Sequence, residues 1–292
     1  MRRRGLKWAG LMSLLCIFSS PVSAQTSQAN EEMPIFDSHL HYGGEDTKAF
    51  TPEQIMAIFD RNRVTHALIS STPNDGTEAL YRYAPDRIIP FLGVYETLKD
   101  KRDWMHDESV LPKVELALKK GIYRGIGEFH IFAQDRHSPV LKGIVKLAQK
   151  HGLMLQAHGD AEIIDEIFSM APDVTVLWAH MGTRPQPDFL RQVLQRHPHN
   201  LYIDTSVRDT LLLGTDGYSD HRGLTPEWKR LFIDYQDRFM VAVDTFSVNR
   251  WKTFDSVVTD IREWLSQLPE PVARKLAYEN AQRLFLNKQG RE

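Results

Sequence analysis

Cysteine is almost absent from this chain: its 292 residues include a single one, Cys16. A protein with one thiol cannot close an internal disulfide, so its stability has to come from the packing of apolar side chains. Cys16 also lies in an N-terminal segment that we expect to be removed. A metal bound by the rest of the chain would therefore be held by histidine and carboxylate groups, without thiolate ligands.

An excess of positive charge is lacking as well. The chain carries 36 Lys and Arg residues against 38 Asp and Glu residues. Without residues 1–24, which hold four basic and no acidic side chains, 32 basic residues face 38 acidic ones and the net charge is −6. A protein with this balance does not attract nucleic acid or an anionic membrane through its bulk charge. We expect a small-molecule substrate and no nucleic-acid partner.

Long apolar runs are missing except near the N-terminus. Four basic side chains there precede an apolar stretch from Trp8 to Phe18, and residues 22–24 are the small residues Val-Ser-Ala. This order is typical of a signal peptide, and the stretch is too short to span a bilayer comfortably. We predict a signal peptide at residues 1–24 and a linker at 25–33. The mature protein is then secreted or periplasmic, with no stable membrane insertion after cleavage.

Apolar runs rich in Val, Ile, Phe and Leu alternate with segments of helical period from residue 34 onward, which is typical of βα units and a parallel sheet. The predicted strands are Ile35–Tyr42, His66–Ser71, Ile88–Tyr95, Gly125–Phe132, Leu153–His158, Thr175–His180, Leu201–Ser206 and Phe239–Phe246. The predicted helices include Pro52–Arg63, Leu111–Lys120, Pro139–Lys150, Ile163–Met170, Asp188–Arg196, Pro226–Tyr235, Asp255–Gln267 and Pro271–Leu286.

Eight parallel strands in about 250 residues favour an α/β fold of the closed (β/α)8 TIM-barrel type. No Pro-, Gly- or Ser-rich linker interrupts the alternation, so we predict a single domain over residues 34–292. A doubly wound open sheet is the alternative, because alternation of strands and helices does not by itself distinguish a closed sheet from an open one.

Histidines and one carboxylate stand where the predicted strands end. His39 and His41 end the first strand, and side chains two residues apart leave the same face of a strand about 6 to 7 Å apart. His158 ends the fifth strand, His180 ends the sixth, and Asp244 stands near the end of the eighth. Because a barrel of this type carries its active site at the carboxyl ends of its strands, these side chains suit one divalent metal site.

The order of these ligands resembles that of the amidohydrolase superfamily. The motif begins with Phe-Asp-Ser-His-Leu-His at residues 36–41, and the resemblance extends to Glu-Asn-Ala-Gln-Arg-Leu-Phe at residues 279–285. It therefore covers nearly the whole mature chain. The chain looks most similar to the amidohydrolase-related branch that includes aminocarboxymuconate semialdehyde decarboxylase.

The resemblance implies roles for individual residues. His39, His41, His158 and Asp244 would hold a metal in the mononuclear pattern of the superfamily. His180 would orient or activate the nucleophilic water, or would bind a second metal in the binuclear pattern. Asp244 would act as the general base and return the proton to the leaving group, and His180 is the alternative base if one metal binds.

The fourth strand departs from the superfamily pattern, because Glu128 stands where binuclear members carry a carboxylated lysine. A glutamate can bridge two cations, or it can orient a histidine that binds the metal. His130, two residues further on the same face, binds substrate, supports the ligands or is itself a ligand. We therefore expect one or two divalent ions. Imidazole and carboxylate groups accept several metals, of which zinc is the one we expect.

Three arginines follow the sixth, seventh and eighth strands: Arg184, Arg208 and Arg250. Loops after barrel strands lie at the mouth of the barrel, where a guanidinium can bind a carboxylate or phosphate. We predict that these residues bind an anionic substrate, although each could equally be a surface arginine. The function predicted is hydrolysis of a small ester, lactone, amide or phosphoester. The alternative is a metal-dependent nonoxidative decarboxylase or lyase acting on a small carboxylic acid.

Aromatic residues leave two questions open. Near the ends of strands, three of them either wall the substrate pocket or pack into the core: Tyr42, Tyr95 and Phe246. Four tryptophans mark either the interface of a homo-oligomer or the core: Trp104, Trp228, Trp251 and Trp264.

Overall fold

The computed structural model describes residues 33–215, 217 and 223–286. The predicted signal peptide lies outside these residues, as does the predicted linker apart from Met33. Both therefore stay predictions. Within the described part of the chain, no helix is both long enough and apolar enough to cross a membrane.

Eight parallel strands form one sheet in the order of the sequence. They are β1 (Ile35–Leu40), β2 (Val64–Ile69), β3 (Ile88–Leu92), β4 (Gly125–His130), β5 (Met154–His158), β6 (Val176–Trp178), β7 (Leu201–Asp204) and β8 (Phe239–Met240). The chain after β8 returns to β1, because Ser38 donates its backbone N–H to Val241 (3.1 Å) and Asp244 donates its own to His39 (2.9 Å). The predicted (β/α)8 barrel is confirmed, and the doubly wound sheet is wrong because strand order is sequential.

The helices alternate with these strands. They are α1 (Asp46–Ala49), α2 (Pro52–Arg61), α3 (Asp75–Tyr83), α4 (Val110–Leu118), α5 (Pro139–His151), α6 (Ala161–Met170), α7 (Pro187–Arg196), α8 (Asp209–Leu212), α9 (Pro226–Asp234), α10 (Val248–Lys252), α11 (Phe254–Leu265), α12 (Glu270–Arg274) and α13 (Asn280–Phe285). A π-helical turn, Lys275–Glu279, joins α12 to α13. The long predicted helix at the C-terminus is therefore divided into three parts.

Local chemistry sets where the helices begin and end. Thr51 and Gln54 form a capping box at the start of α2, and Ser138 accepts hydrogen bonds from two backbone N–H groups at the start of α5. These contacts satisfy donors that have no partner inside a helix. Gly152 ends α5 in the left-handed conformation (φ 60°), which glycine adopts without steric cost.

Every strand except β5 ends earlier than the sequence predicts, and for β6 and β8 the backbone conformation gives the reason. β6 stops at Trp178 because His180 and Met181 have φ values of 58° and 57°, and Asp244, after β8, has a φ of 57°. A non-glycine residue rarely adopts this left-handed conformation, and it breaks the pleat of a strand. The turns that result carry His180 and Asp244.

The core also answers the question about the four tryptophans. Trp104, Trp251 and Trp264 are buried to 1 % exposure or less, and Trp228 is 4 % exposed. They pack with other aromatic side chains of the same chain, so they belong to the core of the barrel. Near the start of β1, the ring centroid of Phe285 in α13 lies 5.5 Å from that of Phe36. Phe285 thereby covers the interior of the barrel at the end where the strands begin.

Candidate metal centre

Five histidines and two carboxylates converge at the carboxyl ends of the strands. They come from β1 and the residue after it, from β4, from β5, and from the turns after β6 and β8: His39, His41, Glu128, His130, His158, His180 and Asp244. Their donor atoms form three overlapping groups in which the atoms lie within 4.8 Å of one another: His39, Glu128 and His180; His39, His41 and Asp244; Glu128, His130 and His158.

The hydrogen bonds of His39 and His41 fix which ring nitrogen carries the proton. His39 Nδ1 lies 3.0 Å from Asp204 Oδ2, and His41 Nδ1 lies 2.5 Å from the backbone oxygen of Ser70. Carboxylate and carbonyl oxygens accept, so both Nδ1 atoms donate and each Nε2 atom is left to bind a metal ion or a proton. The two Nε2 atoms are only 3.2 Å apart. Two imidazole nitrogens at this distance require a positive charge near both, from a metal ion or from a proton.

His180 is held in the same way. Its Nδ1 lies 2.7 Å from Ser206 Oγ, and the Ser206 hydroxyl donates a short hydrogen bond to Asp204 Oδ1. Because that hydroxyl has only one hydrogen, Ser206 accepts from His180 and the lone pair of His180 Nε2 faces inward. Asp204 therefore orients two imidazoles, one directly and one through Ser206. Sequence reasoning placed Asp204 only within the seventh strand, and its sole signal was a carboxylate near that strand's end.

Glu128 lies at the centre of the cluster and is 5 % exposed. Its Oε2 is 3.6 Å from His39 Nε2 and 3.4 Å from His41 Nε2. Its Oε1 is 2.8 Å from His158 Nδ1 and 3.1 Å from His180 Nε2. Burial opposes ionisation, but the surrounding imidazoles hold the pKa of Glu128 well below its usual range. The two oxygens of one carboxylate thus face two separate pairs of histidines.

Asp244 lies beside His39 and His41, the first of these pairs. Its Oδ1 lies 3.2 Å from His41 Nε2, and its Oδ2 lies 3.9 Å from His180 Nε2. Oδ1 is buried and receives no well-directed hydrogen bond. Burial lowers the pKa of His41, but the nearby carboxylates of Asp244 and Glu128 outweigh this effect and raise that pKa to about 9. The donor set therefore attracts positive charge, and its nitrogen and oxygen atoms fit a divalent metal ion.

His130 stands at the edge of the centre. Its ring stacks on that of His158 with 3.9 Å between centroids, and its Nδ1 lies 2.9 Å from the hydroxyl of Tyr95. The same hydroxyl is 3.1 Å from the backbone oxygen of Glu128. Burial lowers the pKa of His130, so its imidazole is neutral at pH 7. Tyr95 thereby ties the end of β3 to the end of β4.

A cavity of about 290 Å³ opens beside the centre. Its inner wall includes His41, Tyr95, Glu128 and His130. Its outer wall comes from loops after β1, β3 and β8 and includes Gly43, Leu98, Lys101 and Phe246. Of the three aromatic residues singled out in the sequence, Tyr95 and Phe246 line this cavity, whereas Tyr42 is buried at 2 % exposure and donates to the backbone oxygen of Phe50.

The three predicted substrate-binding arginines make other contacts. Arg208 donates to the backbone oxygens of His180 (2.8 Å) and Gly182 (2.9 Å). Arg250 donates to the backbone oxygen of Val243 (3.0 Å) and pairs with Asp209 (3.3 Å). Arg184 is exposed, and its guanidinium lies 3.9 Å from the ring centroid of Phe189.

Among the described residues, none of these arginines lines the cavity. The contacts of Arg208 and Arg250 instead hold the turns that carry His180 and Asp244. The guanidinium groups of Arg208 and Arg250 point toward backbone oxygens. Their direction depends on the conformation of the loops, which the order of the strands does not predict.

Comparisons with known proteins agree with this architecture. A sequence model of the amidohydrolase family matches residues 123–286. No curated protein matches the chain in sequence.

Among solved structures, one similar chain is a probable 2-pyrone-4,6-dicarboxylic acid hydrolase from Acinetobacter baumannii with citric acid bound. It is 13% identical with a TM-score of 0.58, and the match covers 87% of this chain and 100% of that one. A phosphotriesterase homology protein from Escherichia coli, complexed with phosphate in its active site, is 11% identical with a TM-score of 0.59, covering 86% and 99%. A hydrolase of the TatD family from Entamoeba histolytica is 11% identical with a TM-score of 0.55, covering 87% and 99%. At these identities the likeness shows the fold alone.

The protein is a barrel whose histidines and carboxylates lie together at the carboxyl ends of its strands, and this is the architecture of an enzyme of the metal-dependent hydrolase type. The chain belongs to the amidohydrolase family, whose sequence model covers more than half of it. The resemblance seen in the sequence is thereby confirmed at the level of the family, whereas the particular branch stays a prediction.

Proposed function

We propose that the protein hydrolyses a small ester, lactone, amide or phosphoester with two divalent cations held on either side of Glu128. The observation that carries this proposal is the arrangement of the Glu128 carboxylate, whose Oε2 faces His39 and His41 and whose Oε1 faces His158 and His180. One carboxylate between two ligand groups is the arrangement that a bridging ligand requires.

The two groups differ in their ligands. His39, His41 and Asp244 would hold one cation together with Glu128 Oε2. His158 and His180 would hold the second together with Glu128 Oε1. When bound, the cations lower the pKa of a water molecule and polarise a carbonyl or phosphoryl oxygen of the substrate. Zinc suits imidazole and carboxylate ligands and is the metal that we propose.

Asp244 is the general base in this proposal. Its Oδ1 is buried, receives no well-directed hydrogen bond and so has a lone pair available for a proton. Burial opposes ionisation, but His39 and the neighbouring imidazoles keep the pKa of Asp244 below its usual range, so the carboxylate is ionised at neutral pH. Asp244 would then return the proton to the leaving group. His180 is the weaker candidate, because its Nδ1 is held by Ser206 and its Nε2 faces Glu128.

Metal content and hydrolysis, measured together on purified protein, test this proposal. We expect two metals per chain in the wild type, one in Glu128→Gln, and two in the control Glu115→Gln, which alters an exposed carboxylate of α4. Asp244→Asn should keep most of the metal and lose at least about 100-fold in kcat toward a cleaved ester or lactone. Full activity after complete removal of metal would contradict the proposal. The decarboxylase alternative, which would use the same metal site, is not better supported than hydrolysis.

We also propose that the protein is exported, with residues 1–24 acting as the signal. The order of basic, apolar and small residues in that segment supports the proposal. Fractionation of cells that express the full chain, followed by N-terminal sequencing, tests it. A mature chain that begins at Gln25 outside the cytoplasm is expected, and an intact cytoplasmic chain would contradict it.

A further inference from the structure

Lys101 brings a positive charge to the cavity beside the metal centre. It lies in a short 3-10 turn, Asp100–Arg102, in the loop after β3, and it lines the cavity with Tyr95 and His130. The side chain is half-buried. Lys101 therefore brings a positive charge to the cavity that Glu128 and His130 also line.

Lys101 has no ion-pair partner among the described residues, whereas Glu45 and Asp46 of the outer wall each have a partner. In the described part of the chain, no carboxylate forms an ion pair with it. Glu45 pairs with Lys48 at 2.6 Å, and Asp46 accepts the backbone N–H of Gly43 at 3.3 Å. A half-buried ammonium without a partner at the wall of a cavity has a charge left to bind a ligand anion.

Apolar side chains flank this charge from two loops. Leu98, from the loop after β3, is 73 % exposed, and Phe246, from the segment after β8, is 64 % exposed. Both line the same cavity. When a ligand covers large apolar side chains at the rim of a cavity, the burial of their apolar surface contributes favourable free energy to binding. The outer part of the cavity therefore suits a short apolar segment that ends in one negative charge.

We propose that Lys101 binds a carboxylate of the substrate, so that the enzyme acts on esters or lactones that carry a carboxylate separated from the reacting group by a short apolar segment. This inference rests on the proposed hydrolytic function. One ammonium balances the single charge of one carboxylate. Lys101 lines this cavity, whereas the three arginines predicted to bind an anion do not.

A pair of esters tests the proposal. The anionic probe is 4-nitrophenyl hydrogen glutarate and the neutral probe is 4-nitrophenyl butyrate, each with zinc-loaded enzyme. We expect Lys101→Met to lower kcat/KM about tenfold for the anionic ester, mainly through KM, and to leave the neutral ester unchanged. Lys101→Arg should restore most of the loss. The matched control, Lys99→Met, alters an exposed lysine outside the cavity wall and should change neither ester.

Calorimetric titration with glutarate separates this proposal from the hydrolytic one. Weaker glutarate binding by Lys101→Met than by the wild type and by Lys99→Met supports the role of Lys101, even if neither ester is cleaved and the hydrolytic proposal fails for esters. Equal binding by all three proteins, or no binding by the wild type, overturns the role of Lys101. Equal loss of kcat/KM on both esters overturns it too, since the effect would then not depend on the carboxylate.

Discussion

Asp204 controls the direction of two metal-facing imidazoles although it lies behind them. It accepts from His39 Nδ1 and from the backbone N–H of His180, and it holds Ser206, which in turn accepts from His180 Nδ1. Burial opposes its ionisation, but His39 and its hydrogen bonds lower the pKa of Asp204. An ionised acceptor in this position keeps both Nε2 lone pairs pointed at the centre.

Asp204→Asn should therefore weaken metal binding without unfolding the protein. An amide offers one acceptor oxygen in place of two, so His39 or Ser206 loses its partner and the tautomer of the imidazole is no longer fixed. We expect zinc affinity, measured by competition with a chelating dye, to fall about 10- to 100-fold. Asp86→Asn, at an exposed loop position, is the control and should bind zinc like the wild type. Wild-type affinity in Asp204→Asn would show that the tautomers are fixed by other contacts.

At the scale of elements, α8 links the loops that follow β7 and β8. Asp209, its first residue, is 4 % exposed, pairs with Arg250 of α10 and accepts from Trp264 Nε1 of α11 at 3.4 Å. Burial raises the pKa of Asp209 to about 6, although Arg250 acts in the opposite direction. Because Arg250 also holds the backbone of Val243, this pair supports the turn that presents Asp244.

The raised pKa of Asp209 predicts a pH-dependent effect of Asp209→Asn on stability. An acid whose pKa is higher in the folded state than the unfolded value of about 3.9 binds its proton more tightly when folded, so its contribution to stability falls as pH rises through about 4 to 6. The full loss amounts to about 3 kcal/mol by linkage. Asparagine lacks this titration. We expect the free energy of urea unfolding of Asp209→Asn, relative to the wild type, to improve between pH 4.5 and pH 7.5.

Asp188→Asn, at an exposed position of α7, serves as the control for that measurement. A difference between Asp209→Asn and the wild type that is the same at both pH values would mean that the carboxyl group titrates alike in the folded and unfolded states.

Elements also show what sequence can and cannot reveal. The strands and most helices follow from hydrophobic periodicity, but α3 was not predicted, because its buried face consists of Gly76, Thr77 and Leu80 and carries little apolar signal. A Cβ at Gly76 would lie 1.5 Å from the backbone oxygen of Tyr42, so close packing requires glycine within this helix. The sequence predicted the cluster of histidines, because the strand order of a barrel brings the ends of its strands together. It did not predict a role for Lys101, because the position of that side chain depends on the path of a loop.

On the scale of the whole molecule, the metal centre joins parts of the barrel that are far apart in sequence. His39 belongs to β1 and Asp244 to the turn after β8, and Glu128 of β4 lies between them at the middle of the chain. The chain after β8 meets β1 through few backbone hydrogen bonds, among them the pair that closes the sheet. A cation held by ligands from both sides of this seam would favour the closed barrel over the unfolded chain.

Removal of metal should therefore lower the thermal stability of the wild type. A ligand at about 1,000 times its Kd stabilises the folded state by about 4 kcal/mol, and in a domain of this size that corresponds to about 10 °C in Tm. We expect the zinc-loaded protein to melt about 10 °C above the chelator-treated protein. His39→Ala should lose most of this difference, whereas His137→Ala, which removes an exposed histidine outside the cluster, should keep it. An equal Tm with and without zinc in the wild type would mean that the cluster does not bind zinc at the concentrations used, and the seam would then be held by hydrogen bonds and packing alone.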